Sequence, residues 1–329
     1  MRRSLGFSLI ELMIAVALTA VVVLFLMQTF TTQQRSYVVL DQTIEVQQNS
    51  RAISDLLERD ARQAGMLAPR GAAACGTDST TGPDTLYLAD ADVIKVPSPG
   101  GYVTPTYYAQ VISGYGGAGS QTLTVDALAP DGDPSIDTNG DSVLDSDFRV
   151  NGGAILVDAN DPNRGSDCGT VVSVTPPNTI VVTFSNGLNI PPGDKVVVVP
   201  AHAYSVNAQN QLLRDGIVLV SDVEDLQVAY FYDVNQNNVM DGATTEYPGS
   251  AGSGVPVYQS NAWARDNLRE LRVNVVVRTR AEVPGDTNGE FQNMENRQAV
   301  AVTDGFRRRV FTSTVKLRNS SYETPSYPD

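Results

Sequence analysis

From Phe7 to Met27 the chain runs twenty-one residues with one charge, Glu11, and with neither proline nor glycine. That pattern predicts a helix apolar on every side and about 30 Å long, the thickness of a bilayer's hydrocarbon. From Gln28 to Ala64 proline and glycine are still absent, but the pattern becomes one-sided. Val46, Ile53, Leu57, Ala61 and Ala64 follow one another at spacings of seven, four, four and three, which is one helical face. Arg51, Asp55, Arg59 and Arg62 lie off that face, as a solvated surface would. Gly65 and then Pro69 supply the stop. The expectation is one helix over residues 7–64, close to 90 Å long at about 1.5 Å per residue. Its first half (7–27) is apolar all round and its second (28–64) is amphipathic.

After Gly65 the period shifts. Residues 65–84 are small and polar and read as a loop carrying Cys75. Short runs rich in Val, Ile, Thr and Tyr follow at 85–88, 92–96, 102–112, 121–128, 154–157, 169–174, 179–184 and 195–199. Turn sequences such as PPN, SNG and PPGD separate them. Residues 207–219 read as a hairpin with a polar tip, and 223–230, 271–279 and 306–319 as further strands. Residues 263–270 read as a short helix or a turn. No helical pattern intervenes, so the fold class is α+β, with a long N-terminal helix packed on a mostly antiparallel β head over 65–329.

The start of the chain carries a contiguous motif. Arg2 and Arg3 precede Gly6-Phe7-Ser8-Leu9-Ile10-Glu11-Leu12. An ordinary signal peptide is cut after its apolar core, whereas the only plausible cut here, Gly6-Phe7, comes before it. This resembles the class III signal of type IV pilins and pseudopilins. The resemblance implies that residues 1–6 are a leader removed by a prepilin peptidase, and that Phe7 becomes an N-methylated terminus. It also implies that Glu11 pairs with the N-terminal amine of a neighbouring subunit. A carboxylate within a membrane helix costs about 3 kcal/mol, so a paired cation is the physical expectation as well. Three further stretches resemble the PilW family of minor pilins: the helix end LERDARQAGM leading to Cys75, Val223-Glu224-Asp225-Leu226-Gln227-Val228-Ala229-Tyr230, and the ending FRRRVFTSTVKLRN.

The family implies a role in initiating or capping a pilus. Its implied partners are other minor pilins, the major pilin, the inner-membrane assembly platform and a tip adhesin. It also implies one membrane pass with the head in the periplasm, followed by a place in the surface pilus, at its tip. Two alternatives stand beside it: a minor pseudopilin of type II secretion, of the GspJ type, and a ligand-binding tip pilin for adhesion or DNA uptake. Major pilins usually carry a proline within the apolar half, and residues 15–30 contain none, which favours a minor subunit.

Composition narrows the chemistry. The net charge of −14 becomes −16 once Arg2 and Arg3 leave with the leader. So acidic a chain is a poor nucleic-acid binder, and Arg307-Arg308-Arg309 is too short a run to reverse that. The two cysteines, Cys75 and Cys168, lie beyond the membrane segment; in an exported head they form one disulfide, the alternative being two buried thiols. The one histidine, His202, reads as a strand-end residue and not as part of a catalytic set, and no cofactor is required.

Calcium is the one ligand the pattern suggests. Asp137, Asn139, Asp141, Val143 and Asp145 recur as Asp233, Asn235, Asn237, Val239 and Asp241, alternating oxygen ligands with a backbone carbonyl at the seventh place. Both stretches lack the glycine and glutamate of an EF-hand, with Ser142 or Asn238 sixth and Phe148 or Thr244 twelfth; Asp147 or Glu246 is the substitute ligand. Asp/Asn turns between strands are the competing reading, and Asp286-Thr-Asn288-Gly-Glu290 is such a turn. If calcium binds, millimolar Ca²⁺ raises the melting temperature of the wild-type chain and not of variants with Asp141 or Asn237 replaced by alanine. An unchanged melting curve leaves turns as the explanation.

Overall fold

The computed structural model describes residues 8–66, 68–92, 107–161, 164–232, 268–283 and 304–317, with short stretches at 289–290, 294–295, 297 and 301–302. Gly6, Phe7, the second acidic stretch from Asp233 to Asp241 and the turn at 286–290 up to Asn288 fall outside the described residues. The chain divides into two units, Met1–Gln48 and Asn49–Asp329.

Helix α1 spans Leu9–Gln63, within two residues of the expected bounds at either end. In the first unit its apolar side chains, from Leu9 through Phe30 to Val38, are exposed. Threonine in this segment does not leave a polar group bare: the Thr19 hydroxyl donates to the Ala15 carbonyl at 2.7 Å and Thr29 to Phe25 at 2.9 Å. Further along, Val46, Ile53, Leu57, Ala61 and Ala64 are all buried, as the spacing predicts, while Arg51, Asp55, Arg59 and Arg62 are exposed. Gly65, at φ 79°, ends the helix in the left-handed conformation that glycine adopts without strain.

The head is built from antiparallel strands: β1 Ala74–Thr77, β2 Thr85–Ala89, β3 Ala109–Ser113, β4 Gly119–Val125 and β5 Gly153–Asp158. There follow β6 Ser166–Thr175, β7 Thr179–Phe184, β8 Val196–Val206, β9 Gln211–Arg214 and β10 Ile217–Ser221. β11 Val223–Tyr232, β12 Leu268–Arg278, β13 Gly289–Glu290, β14 Ala301–Val302 and β15 Arg308–Lys316 complete the set. β11, β12 and β15 form a three-stranded sheet, and β13 pairs with β14.

The larger sheet closes on itself. Its order runs β8-β3-β4-β7-β6-β5, and β5 then pairs back to β8, giving a six-stranded barrel. Alternation along the strands fills the interior: Leu123 and Val125 of β4, Ile180 and Val182 of β7, Leu156 of β5 and Val198 of β8 meet there with Phe148. The other faces of β5 and β8 are covered too, since Ile155, Val157, Val197, Val199, Ala201 and Ala203 pack with Tyr87, Cys75 and Cys168. Burial on both faces is why GAILVD and VVVVPAHA read as continuous apolar runs instead of alternating ones.

Several boundaries differ from the sequence reading. Cys75 sits in a strand, β1, not a loop, because that segment pairs with β2 along its length. Residues 268–270, read as part of a short helix or turn, are already in β12. His202 is not at a strand end but inside β8, which continues six residues past Pro200 to pair with β2 and β9. The hairpin read at 207–219 holds two turns: the polar tip after Val206 joins β8 to β9, and Asp215-Gly216 turns β9 into β10, with φ values of 53° and 77° that are those of the tight hairpin turn Asp-Gly favours.

Cys75 and Cys168 form a disulfide between β1 and β6, with Cα atoms 6.1 Å apart. It closes a span of 93 residues, for which chain-entropy arguments give roughly 4–5 kcal/mol. The double variant Cys75→Ser/Cys168→Ser is therefore expected to lose about that much stability in denaturant titrations, and non-reducing peptide mapping should recover the 75–168 pair from the wild type. Free thiols in the oxidised protein would contradict this.

Candidate functional site

The first candidate is the start of α1. Ser8 precedes the helix and Glu11 lies in its first turn; the Ser8 N–H donates to Glu11 Oε2 at 2.9 Å and the Glu11 N–H to Ser8 Oγ at 3.2 Å. This reciprocal pair is a capping box, which satisfies two backbone donors that a helix start leaves open. The S-x-x-E spacing from Ser8 to Glu11 is the sequence signal of this box. The Glu11 carboxylate is thus held at the positive end of its own helix, and stays exposed to an approaching cation. α1 is the one helix among the described residues long and apolar enough to cross a membrane.

The second candidate is a polar hub buried in the head, which the sequence did not disclose. His202 is almost fully buried in β8. Its Nδ1 lies 2.7 Å from Asp215 Oδ2, and its Nε2 lies 2.9 Å from Asp90 Oδ1 and 3.6 Å from Asp92 Oδ2. Asp215 also accepts the Ala203 N–H at 2.9 Å and Arg149 Nη1 at 2.8 Å. Arg214 reaches Asp60 of α1 at 2.8 Å, and the Tyr204 hydroxyl donates to the same oxygen at 2.5 Å. The second-unit part of α1, the ends of β2 and β9, β8, and the segment before β5 therefore meet in one network. Burial by itself would lower the His202 pKa; the carboxylates of Asp215 and Asp90 outweigh it and hold the imidazolium at about 9. His202 in turn holds Asp215 below the ordinary carboxylate range, against the burial that would raise it.

The first acidic loop, 137–145, has turned its oxygens onto its own backbone. Asp137 accepts the N–H groups of Gly140 at 2.7 Å and Ser142 at 2.8 Å, Asn139 accepts Asp141, and Asp141 accepts Val143. Asp145 accepts the Thr138 N–H and hydroxyl, and Asp147 is bonded to Ser135. Ser142, at φ 69°, takes the left-handed conformation that glycine takes at the sixth place of a calcium loop. Among the described residues, three ligand atoms of His, Cys, Asp or Glu come within 4.8 Å of one another at Asp90, Asp92 and His202, and not in this loop. Arg308, from the basic run, pairs with Glu224 at 2.6 Å and Asp304 at 2.7 Å, as local acids beside a strand would have it.

Comparisons with known proteins agree with the two ends of the chain. Residues 1–27 match the family described as the prokaryotic N-terminal methylation motif, and residues 201–319 match the type IV pilus-assembly protein W (PilW) family. A type IV-like pilin from Thermus thermophilus aligns at 16% identity over 54% of this chain and 88% of that one, with a TM-score of 0.23. No curated protein matches the chain. The two ends of the chain thus resemble type IV prepilins and the PilW family, and the structure itself shows one long N-terminal helix followed by an antiparallel β head.

The hub makes a direct prediction. Asp215→Ala leaves His202 Nδ1, Arg149 and the Ala203 N–H without their partner and is expected to cost about 3–5 kcal/mol. Tyr204→Phe, which leaves Asp60 its Arg214 partner, should cost only about 1–2 kcal/mol. Equal midpoints of the two variants in urea would refute the ranking.

Proposed function

We propose, for a chain with a prepilin N-terminus and a PilW-type C-terminal region, the work of a minor pilin that helps initiate or cap a type IV pilus. The observation that carries the reading is the start of α1: an apolar, exposed helix opened by the Ser8–Glu11 box. An exposed helix of this kind is stable only in lipid or against other apolar helices, so it serves as an anchor before assembly and as a packing element after it. The proposed sequence of events begins with removal of residues 1–6 and methylation of Phe7. The helix then holds the chain in the inner membrane, with the acidic head in the periplasm. Glu11 meets the cationic terminus of a neighbouring subunit, and helix packs beside helix at the tip of the pilus. The prepilin peptidase acts on the leader; other minor pilins, the major pilin and the assembly platform are the partners.

A Glu11 carboxylate and an N-terminal amine attract strongly where water is excluded, and the capping box keeps Glu11 satisfied until that amine arrives. A type II secretion pseudopilin would share the N-terminal motif; the PilW match at 201–319 supports the pilus instead. Glu11→Ala and Glu11→Gln are both expected to leave leader removal intact and to lower incorporation into sheared pili by at least about tenfold, equivalent to ~1.4 kcal/mol. Immunoblots of membrane and pilus fractions measure this, and mass spectrometry of the mature chain should find N-methylated Phe7. Wild-type incorporation of Glu11→Gln would refute the charge pairing.

A further inference from the structure

We infer that Asp90, Asp92 and His202 form a binding site for a first-row divalent metal ion, zinc above all, with Arg214 as the cation that competes for it. The inference starts from the two edges of one imidazole. On the Nδ1 edge Asp215 stands 2.7 Å away and is itself fixed by Arg149 and by the Ala203 N–H. A carboxylate on the far nitrogen is the arrangement that orients a metal-binding histidine and raises its basicity. On the Nε2 edge are Asp90 Oδ1 at 2.9 Å and Asp92 Oδ2 at 3.6 Å. Ligands about 2.0–2.1 Å from a tetrahedral zinc lie roughly 3.3 Å from one another, so these spacings already suit a shared ion. One imidazole and two carboxylates leave a fourth position for water, a donor set suited to zinc or manganese and too nitrogen-rich for magnesium or calcium.

The same edge also meets Arg214, whose Nη2 lies 2.5 Å from Nε2, 2.8 Å from Asp60 and 3.4 Å from Asp92. Nε2 cannot serve both neighbours well. With its proton it can donate to Asp90 but faces a second donor in Arg214; without it, it can accept from Arg214 but faces the Asp90 carboxylate. A divalent ion resolves the conflict. It takes the lone pair of Nε2, whose proton leaves to solvent, and is neutralised by Asp90 and Asp92, while Arg214 keeps Asp60. Access is open on one side, because the Asp92 side chain is 55% exposed while those of Asp90 and His202 are nearly buried.

The test uses the full chain, tag-free, in detergent, stripped with a chelator and titrated with ZnCl₂ by calorimetry at pH 7.5. One equivalent should bind, and mass spectrometry should find it retained after desalting. Asp92→Asn, at an exposed position that need not disturb folding, should weaken binding at least about tenfold, and His202→Gln should abolish it. Arg214→Met, which removes the competing cation, should tighten it, a gain that a purely structural role for the cluster does not give. Asp141→Ala, in the separate acidic loop, should leave it unchanged. Absence of a stoichiometric site, or binding that Asp92→Asn leaves unaltered, overturns the inference.

Discussion

Asp60 is a buried carboxylate on a mostly apolar helical face, between Leu57 and Ala61. A buried charge is costly by several kcal/mol unless its partners come with it. Here they are Arg214 at the end of β9 and Tyr204 of β8, and their approach brings with it His202, Asp215, Asp90 and Arg149. Hydrophobic packing of Ile53, Leu57 and Ala61 would tolerate small rotations of the helix segment on the head. An ion pair with two fixed donors does not, so Asp60 gives this apolar face a directional constraint.

β8 is the second element on which much converges. Its first six residues belong to the barrel, where Val196–Ala201 pair with β5, and its later residues pair with β2 and β9 outside it. The PilW match begins at residue 201, where β8 leaves its pairing with β5. The strands β3 to β7 precede that point, so most of the barrel lies ahead of the matched region, with the Cys75–Cys168 disulfide joining β1 to β6. Other ties join the larger sheet to the three-stranded one, among them the Asp84 carboxylate accepting the Val228 N–H at 2.9 Å and the Asp84 N–H donating to the Leu226 carbonyl at 2.8 Å. At Gly76 the ring hydroxyl of Tyr230 would lie 2.1 Å from an added Cβ, so only glycine admits this contact between β1 and β11.

The two candidate sites divide the physics of the chain. At the helix start an anion is kept exposed and provisionally satisfied, which suits a group waiting for a partner. In the head, anions and cations are drawn together out of water, which suits a fixed arrangement. The proposed role in a filament calls for both properties: a helix free to exchange lipid for other helices, and a head that keeps its shape while that happens.

What the sequence determined by itself was whatever follows from local pattern: the continuous helix to Gly65, its buried stripe, the prepilin motif, most strands and the two cysteines. These are read from neighbours a few residues apart, where periodicity of 3.6 or 2 and turn chemistry act directly. Tertiary structure decided what depends on residues far apart. Closure of the barrel rests on β5 pairing β8 some forty residues on, and turns the runs at 153–158 and 196–203 into strands buried on both sides. His202 looked like a strand end because Pro200 interrupts the apolar run, yet the sheet carries β8 past it. Its partners Asp90 and Asp215, and Arg149 and Asp60 further along the same network, are spread along the chain, and no spacing rule links them. Only the fold brings them within hydrogen-bond reach, and the low polarity around them then makes their mutual pairing obligatory.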